Sequence, residues 1–270
     1  MKTAVYQSFR TVNVPPWIAR CLASVQQWAA LRGHDYHFLD DRFFSYTPDW
    51  YRRNVKDNVL LVSDLARLLV ARELFNQGYD CAVWVDADVI VFDPEGLKLD
   101  LESGFGVCRE VWVHRRPDGT AAAEERLNNA VLTFARDNAF LDFYTYSCQQ
   151  IVAFKPRYYP YEVGTGFLTH LGKYLPLPLI ENVGLFSPTV MAAIAADDTG
   201  ILQALMQHVR TPLCAANLCA SFNNREYDGV HMTEHLFTTV LDRCLQSRGA
   251  VVNCYLATAN HTDTPNSGVR

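Results

Sequence analysis

The stretch CAVWVDADVIVF, residues 81–92, decides how this chain is read. It has the composition of a buried β-strand, yet Asp86 and Asp88 stand one residue apart inside it. In an extended chain residues i and i+2 point to the same side, so the two carboxylates would be aimed at one place. If the strand instead breaks into a turn at Ala87, both can still reach a common ion. Two neighbouring anions raise each other's pKa and resist burial unless a cation joins them. A hard divalent ion, Mn²⁺ or Mg²⁺, accepts one or two carboxylates together with phosphate oxygens. The pair therefore predicts half of a metal–diphosphate site, with Asp86 and Asp88 as ligands. An isolated D-x-D is more often a solvated turn, but here residues 82–85 are apolar before it and VIVF follows it.

Outward from that strand the pattern alternates. TAVYQSF (3–9) reads as an opening strand. Pro15 and Pro16 start a helix whose Ile18, Leu22, Val25 and Ala29 follow helical spacing, and Gly33 stops it. DYHFL (35–39) is a second strand, and residues 41–57 read as an irregular loop with one helical turn. SDLARLLVARELFNQG carries a core-facing stripe of Leu65, Leu68, Leu69 and Leu74, with Gly78 at its C-terminal cap. This β-α-β-α-β order predicts an α/β fold with a mainly parallel sheet and helices on its faces. In such sheets ligands sit beyond the carboxyl ends of the strands, where Asp86 and Asp88 fall. Further on, GFGVC and NNAVLTFA read as strands and residues 138–154 as a helix. GTGFLTHL reads as a turn feeding a short helix, residues 187–208 as two helical pieces, and AVVNCYL (250–256) as a late strand. No boundary divides the chain, so residues 1–270 are expected to form one domain.

The chain is 49% apolar, enough for a sizeable core, and its net charge of −5 comes without a basic stripe, which argues against a nucleic-acid binder. The first residues show no apolar run of signal-peptide type, and no segment has the length of a membrane span, so a soluble, cytoplasmic protein is expected. In that setting the eight cysteines, without any CxxC pair, read as reduced, buried small hydrophobes.

The segment SDLARLLVARELFNQGYDCAVWVDADVIVF resembles glycosyltransferase family thirty-two, which includes fungal mannosyltransferases and bacterial capsule and lipooligosaccharide enzymes. The catalytic domains of large glucosylating toxins are similar over the same stretch. The shared pattern is S-D-x-x-R on a helix, a Gly near its end, then a strand into D-x-D, supplied here by Ser63, Asp64, Arg67, Gly78, Asp86 and Asp88. AVYQSFRT resembles the family's opening strand beside the nucleotide base, with Tyr6 where a His is usual and Gln7 matching. NNAVLTFARDNAFLDF resembles the segment that brings Asn129 to the donor sugar, with Ala139 in place of a Pro. GTGFLTHL resembles the family's T-G-P turn, with Gly164, Thr165 and Gly166 by the donor and Phe167 replacing the Pro.

The resemblance implies a GT-A fold: a Rossmann-like sheet binding a nucleotide-diphosphate sugar, a UDP-sugar first among them, with a divalent metal and retention at the anomeric carbon. It implies that Asp64 and Arg67 bind donor-sugar hydroxyls, that Asp86 contacts ribose or sugar and bridges to the ion, and that Asp88 is the direct ligand. The i, i+3 spacing of Asp64 and Arg67 also suits a plain intrahelical ion pair. No residue stands out as a nucleophile, which favours same-face attack with the departing diphosphate taking the acceptor proton. GT-A enzymes often recruit a further ligand from the C-terminal segment; His261 is the candidate, with Asp263, Asn266 and Ser267 behind it. The acceptor is expected to be a saccharide, with a peripheral inner-membrane association by analogy alone, and Trp50, Tyr51, Tyr158, Tyr159 and Tyr161 are either sugar-stacking or core. Two other readings stand beside this one. HMTEH (231–235) fits H-x-x-E-H, with His231 and His235 as zinc ligands and Glu234 as base of a hydrolase. A non-catalytic nucleotide-sugar-binding scaffold is the other.

Overall fold

A computed structural model describes residues 1–56, 58–155 and 157–256. The chain begins with β1 (Thr3–Ser8), α1 (Pro16–Leu31), β2 (Asp35–Leu39), α2 (Asp49–Asn54), α3 (Val59–Asn76) and β3 (Cys81–Val85). Pro16 opens α1, where a missing N–H costs nothing, and the Asn58 side chain caps α3 by accepting from the amides of Leu60 and Leu61. Residues 41–56 are more helical than the loop expected there: Asp41–Tyr46 forms a 3₁₀ helix capped by Asp40, and α2 follows. After the acid pair come β4 (Val89–Val91), β5 (Phe105–Arg115), β6 (Ala121–Ala135), α4 (Ala139–Phe154) and α5 (Thr165–Leu171). The remainder is β7 (Leu179–Ile180), β8 (Val183–Leu185), α6 (Pro188–Ala196), α7 (Thr199–Met206), β9 (Ala215–Asn217), β10 (Glu226–Tyr227), β11 (Val230–His231), α8 (Glu234–Ser247) and α9 (Ala250–Asn253).

The main sheet has the order β2-β1-β3-β6-β5-β7. β1 runs parallel to both β2 and β3, and β7 parallel to β5, while β6 is antiparallel to β3 and to β5. Only β6 therefore runs against the rest, and the mainly parallel α/β arrangement expected from the element order is what forms. Beside it lie a three-stranded sheet, β4-β9-β8, and the two-residue hairpin β10-β11, whose Asp228 and Gly229 both have positive φ.

Both faces of the central strands are covered. Ala82 and Trp84 of β3 pack with Tyr6, α3 and α4, whereas Val83 and Val85 pack with Val25, Trp28 and Ala29 of α1. This explains the unbroken apolar run of β3, since a strand buried on both sides has no polar alternate positions. A further cluster joins α1, α6, α7 and α8 around Ile90 and Phe92. All eight cysteines are free and seven are buried; Cys254 is exposed. Among the described residues no helix is long and apolar enough to cross a membrane.

The segment AVVNCYL, expected as a strand, is instead the short helix α9 followed by a turn. Its β-branched pair follows Gly249, whose φ of +81° ends one helix and starts the next, and Val252 is buried against the same core as α8. Gly249 also admits Phe92 closely: a Cβ there would lie 2.5 Å from the Phe92 ring. Strain and overpacking thus act together at this position. Gly249→Ala is expected to lower stability by roughly 2–3 kcal/mol in urea denaturation; an unchanged midpoint would show that α9 is not held against Phe92.

Candidate active site at the carboxyl end of the third strand

The chain leaves β3 at Val85, and a turn at Ala87 and Asp88 separates it from β4. Of the two backbone courses expected at the acid pair, the turn at Ala87 is therefore the one formed. Asp86 keeps the orientation of Trp84, two residues before it, and turns toward α3. It accepts a hydrogen bond from Trp84 Nε1 at 2.7 Å and pairs with Arg67 Nη1 at 3.2 Å. Asp88 turns toward the end of β9 and the segment after it, where its two oxygens accept from Asn217 Nδ2 at 2.8 Å and from the Ala220 amide at 2.7 Å. The two carboxylates use different partners but still sense each other. Burial and then the charge of Asp86 push Asp88 up to about 6. Asp86 is also raised, by burial, against the opposing pull of Arg67 and the Trp84 hydrogen bond.

Arg67 stands at the centre of the site. Its guanidinium lies 4.8 Å from the centre of the Trp84 ring and pairs with Asp64 Oδ1 at 3.2 Å as well as with Asp86. It donates to the Asn129 carbonyl at 2.7 Å and to the carbonyl and hydroxyl of Ser63 at 3.2 and 3.1 Å. Because these bonds occupy its donor groups, Arg67 has the geometry of a brace and does not present a free guanidinium to a sugar, the role expected for it. Asp64 also accepts from Asn129 Nδ2 at 2.7 Å. Burial pushes the Asp64 carboxyl up to about 6, against Arg67 and Asn129, with the Asp86 charge adding to the rise. Gly164 touches this group: a Cβ there would sit 2.7 Å from Asp64 Oδ2 and 3.0 Å from Asn129 Nδ2. The turn of Gly164, Thr165 and Gly166 thus reaches the site at Gly164, while Gly166 packs closely on Tyr161.

Tyr6 and Gln7 are brought to the site but in another role than beside a nucleotide base. Both are fully buried. Tyr6 donates its hydroxyl to the Arg67 carbonyl at 2.6 Å; Gln7 donates to the Asp86 carbonyl at 3.1 Å and accepts from Tyr36 at 3.0 Å. They form the frame that fixes α3 against the end of β3. Tyr51 is core and Tyr158 is half-buried, with its hydroxyl on the Val152 carbonyl, whereas Tyr159 and Tyr161 are exposed and near-parallel. His261, Asp263, Asn266 and Ser267 lie outside the described residues.

The HMTEH segment does not form the helical i, i+4 pair that zinc would need. His231 ends β11, Thr233 caps α8 with its hydroxyl on the Leu236 amide, and Glu234 and His235 belong to the helix. Among the described residues no group of three His, Cys, Asp or Glu side chains converges as a metal cluster. A site of the expected kind needs fewer protein ligands, because phosphate oxygens and water complete it. The donor set suits such an ion. Asp64, Asp86 and Asp88 stand against the one guanidinium of Arg67, an excess of two negative charges (three minus one). Asn217 carries no signal in the sequence, since the A-A-N-L run has no chemical character by itself, and Ser63 stands in the S-D-x-x-R pattern without a role of its own.

The pKa directions have a consequence for stability. Asp64 and Asp88, ordinarily near 3.8, titrate near 6 in the folded chain. The folded state thus holds more protons than the unfolded one between those values, so stability falls as pH rises through that window. Removing the brace enlarges the effect. Arg67→Met is expected to cost about 3–5 kcal/mol near pH 7.5 by leaving buried carboxylates unpaired, and less near pH 5. Urea denaturation at the two pH values measures the difference, and a cost independent of pH would contradict this electrostatic role.

No family model matches the chain, and no curated protein matches it. Among solved structures it is similar to a glycosyltransferase involved in the glycosylation of the major capsid of PBCV-1, at 12% identity over 81% of this chain and 93% of that one, with a TM-score of 0.41. It is similar to mouse xyloside xylosyltransferase 1 in its apo form at 11% identity over 82% and 99% of the two chains, with a TM-score of 0.42. A197 from STIV aligns over 53% of this chain and 68% of its own, at 15% identity and a TM-score of 0.27. Likenesses this distant carry no argument about the site, which stands on its own geometry.

Proposed function

We propose that the chain is a metal-dependent, retaining glycosyltransferase of GT-A type, like those of family thirty-two, that moves a sugar from a nucleotide-diphosphate donor to a saccharide acceptor. The observation that carries the proposal is the buried Asp64–Arg67–Asp86 brace with Asp88 beside it, at the carboxyl end of a strand where α/β sheets bind ligands. The whole chain acts as one catalytic unit on a UDP-sugar, in the cytoplasm, with a peripheral association at the inner membrane face.

Asp86 and Asp88 would hold Mn²⁺ or Mg²⁺, which when bound supplies Lewis-acid neutralisation of the charge that grows on the departing diphosphate. Asp64 receives a donor-sugar hydroxyl on Oδ2, the oxygen that faces Gly164. Asn129 holds the other oxygen of Asp64, which fixes the direction of that contact. Arg67 acts through Asp64 and Asp86 as a positioning residue. Only a glycine at 164 lets the turn come this close, since a Cβ there would lie 2.7 Å from Asp64 Oδ2. His261 would be a further ligand of the ion, and the acceptor hydroxyl would attack from the face the diphosphate leaves, its proton passing to a diphosphate oxygen as the bond to the acceptor replaces the bond to the diphosphate.

A thermal-shift and hydrolysis screen of UDP-, GDP- and CDP-sugars with and without Mn²⁺ tests the reading. One of these donors is expected to stabilise the protein and to be turned over only with the ion present. Asp88→Asn is expected to lower turnover roughly 1,000-fold, the scale of losing several kcal/mol of charge stabilisation, while the variant stays folded. Near-wild-type turnover in that variant would overturn the metal assignment.

A further inference from the structure

The hairpin of β5 and β6 is longer than the strand it leans on. β3 pairs with β6 only from Val131 to Ala135, so the rest of β6 and its partner β5 project past the carboxyl end of β3, over the site. The register changes there: Val107 faces Leu132, but the next residue, Cys108, faces Asn128. Residues 129–131 are thereby released from β5, a bulge of the kind that re-aims side chains beside active sites. Its consequence is visible in two adjacent amides. Asn129 holds Asp64, as described, while Asn128 points to the other side and donates to Glu110 Oε2 at 3.1 Å.

Glu110 is a carboxyl in a strand whose other residues from 107 to 113, apart from Arg109, are apolar, and it is only 4% exposed. Burial raises its pKa, against Asn128 and Arg126. Its second oxygen has no hydrogen bond among the described residues. The nearest cation, Arg126 Nη1, lies 4.0 Å away, and that guanidinium is held more closely by Glu124 at 2.5 Å. A carboxylate in this condition is costly to keep. The same face of the hairpin meets the segment that binds Asp88: Trp112 packs on Cys219, and the amide of the next residue, Ala220, donates to Asp88. Glu110 is also tied to Asp86 through the backbone. Asn128 Oδ1 accepts from the Ala130 amide at 3.1 Å, and the Ala130 carbonyl accepts from the Asp86 amide at 2.7 Å.

We infer that Glu110 is the acceptor-binding carboxylate of this site: its unpartnered oxygen receives a hydroxyl of a polyhydroxylated acceptor other than the attacking one, with Asn128 fixing the carboxylate and Arg126 donating to a neighbouring acceptor oxygen. The inference rests on the glycosyltransfer reading and adds to it the side from which the acceptor arrives. Asp64 lies on one side of the bulge and Glu110 on the other, each oriented by one of two neighbouring asparagines of β6. A saccharide fits these groups because vicinal hydroxyls can donate to a carboxylate and accept from a guanidinium at once.

The test compares wild type, Glu110→Gln and Arg126→Gln on the UDP-, GDP- and CDP-sugar panel with Mn²⁺. Sugar released to water and sugar transferred to an array of p-nitrophenyl mono- and disaccharides are measured separately. Glu110→Gln keeps the shape and the Asn128 contact; it should lower the ratio of transfer to hydrolysis about 100-fold, the scale of one charge-assisted hydrogen bond. Arg126→Gln, at a half-exposed position, should raise the acceptor KM more than it lowers kcat, and it decides the matter if the first variant misfolds. If wild type transfers sugar while the variants keep its transfer-to-hydrolysis ratio and acceptor KM, Glu110 is not the acceptor group and the glycosyltransferase reading survives. If wild type turns over no donor in the panel, that reading falls and this inference with it.

Discussion

One buried guanidinium organises the end of the sheet. Arg67 reaches from α3 across Trp84 to Asp86, and it holds Asp64 and the Asn129 carbonyl as well. Each of these partners belongs to a different stretch of chain: the helix itself, the residue after β3, and the reversed strand β6. Their mutual placement depends on a cation that is 7% exposed at its side chain. An ion pair this deep is a poor source of net stability, because desolvation offsets most of the Coulomb attraction. Its value is directional. A planar fork with fixed donor angles fixes where the carboxylates point, which an apolar contact cannot do.

The brace leaves a charge imbalance, and the imbalance is what gives the site chemical character. Tyr6 and Gln7 contribute only neutral hydrogen bonds, to backbone carbonyls and with Tyr36, so they stiffen the frame without neutralising anything. Asn217, Ala220 and Asn129 likewise donate without carrying charge. The carboxyls of Asp64 and Asp88 respond by titrating near 6. Hydrogen bonds to the charged form would have lowered those values, and their failure to do so shows that burial outweighs them here. A fold that keeps such groups ionised at neutral pH holds them ready for a cation, or for hydroxyl donors, at the cost of some stability.

Much of this was legible before any coordinates. An acid pair inside an apolar strand is conspicuous because water-loving groups are rare there, and the periodicity of α1 and α3 followed from Ile18, Val25, Leu65 and Leu68, all buried. The misreadings have physical causes. AVVNCYL has strand-like β-branched residues, but four residues between a left-handed Gly and a turn pack as helix against an existing core, so tertiary context overrode propensity. HMTEH matches a helical motif in spacing only, because Thr233 caps the helix in the middle of it. The long hairpin was read as two short strands, since Arg109, Glu110 and the run Glu124–Glu125–Arg126 interrupt the apolar pattern. Those interruptions were the signal missed: Glu110 in CREVWV breaks an apolar strand just as Asp86 does in VWVDAD.

Tyr6, Gln7 and Arg67 show what a motif transfers and what it does not. A resemblance in sequence carries an expectation of place, and all three residues stand around the end of β3. Contact with ligand is a further matter, decided by whether the side chain's donors and acceptors are left over once the fold has closed. For Tyr6 the hydroxyl is on a carbonyl, for Gln7 both ends of the amide are engaged, and for Arg67 both terminal nitrogens and Nε have partners. Asp64 Oδ2 and the second oxygen of Glu110 are in the opposite condition: held in place through the neighbouring oxygen and bordered by a glycine or a distant cation. Residues of the first kind set positions, and residues of the second kind have bonding capacity still to use. By that criterion Asp64 and Glu110 are the carboxylates with bonding capacity to spare, and the cationic and aromatic groups around them are the mould that aims them.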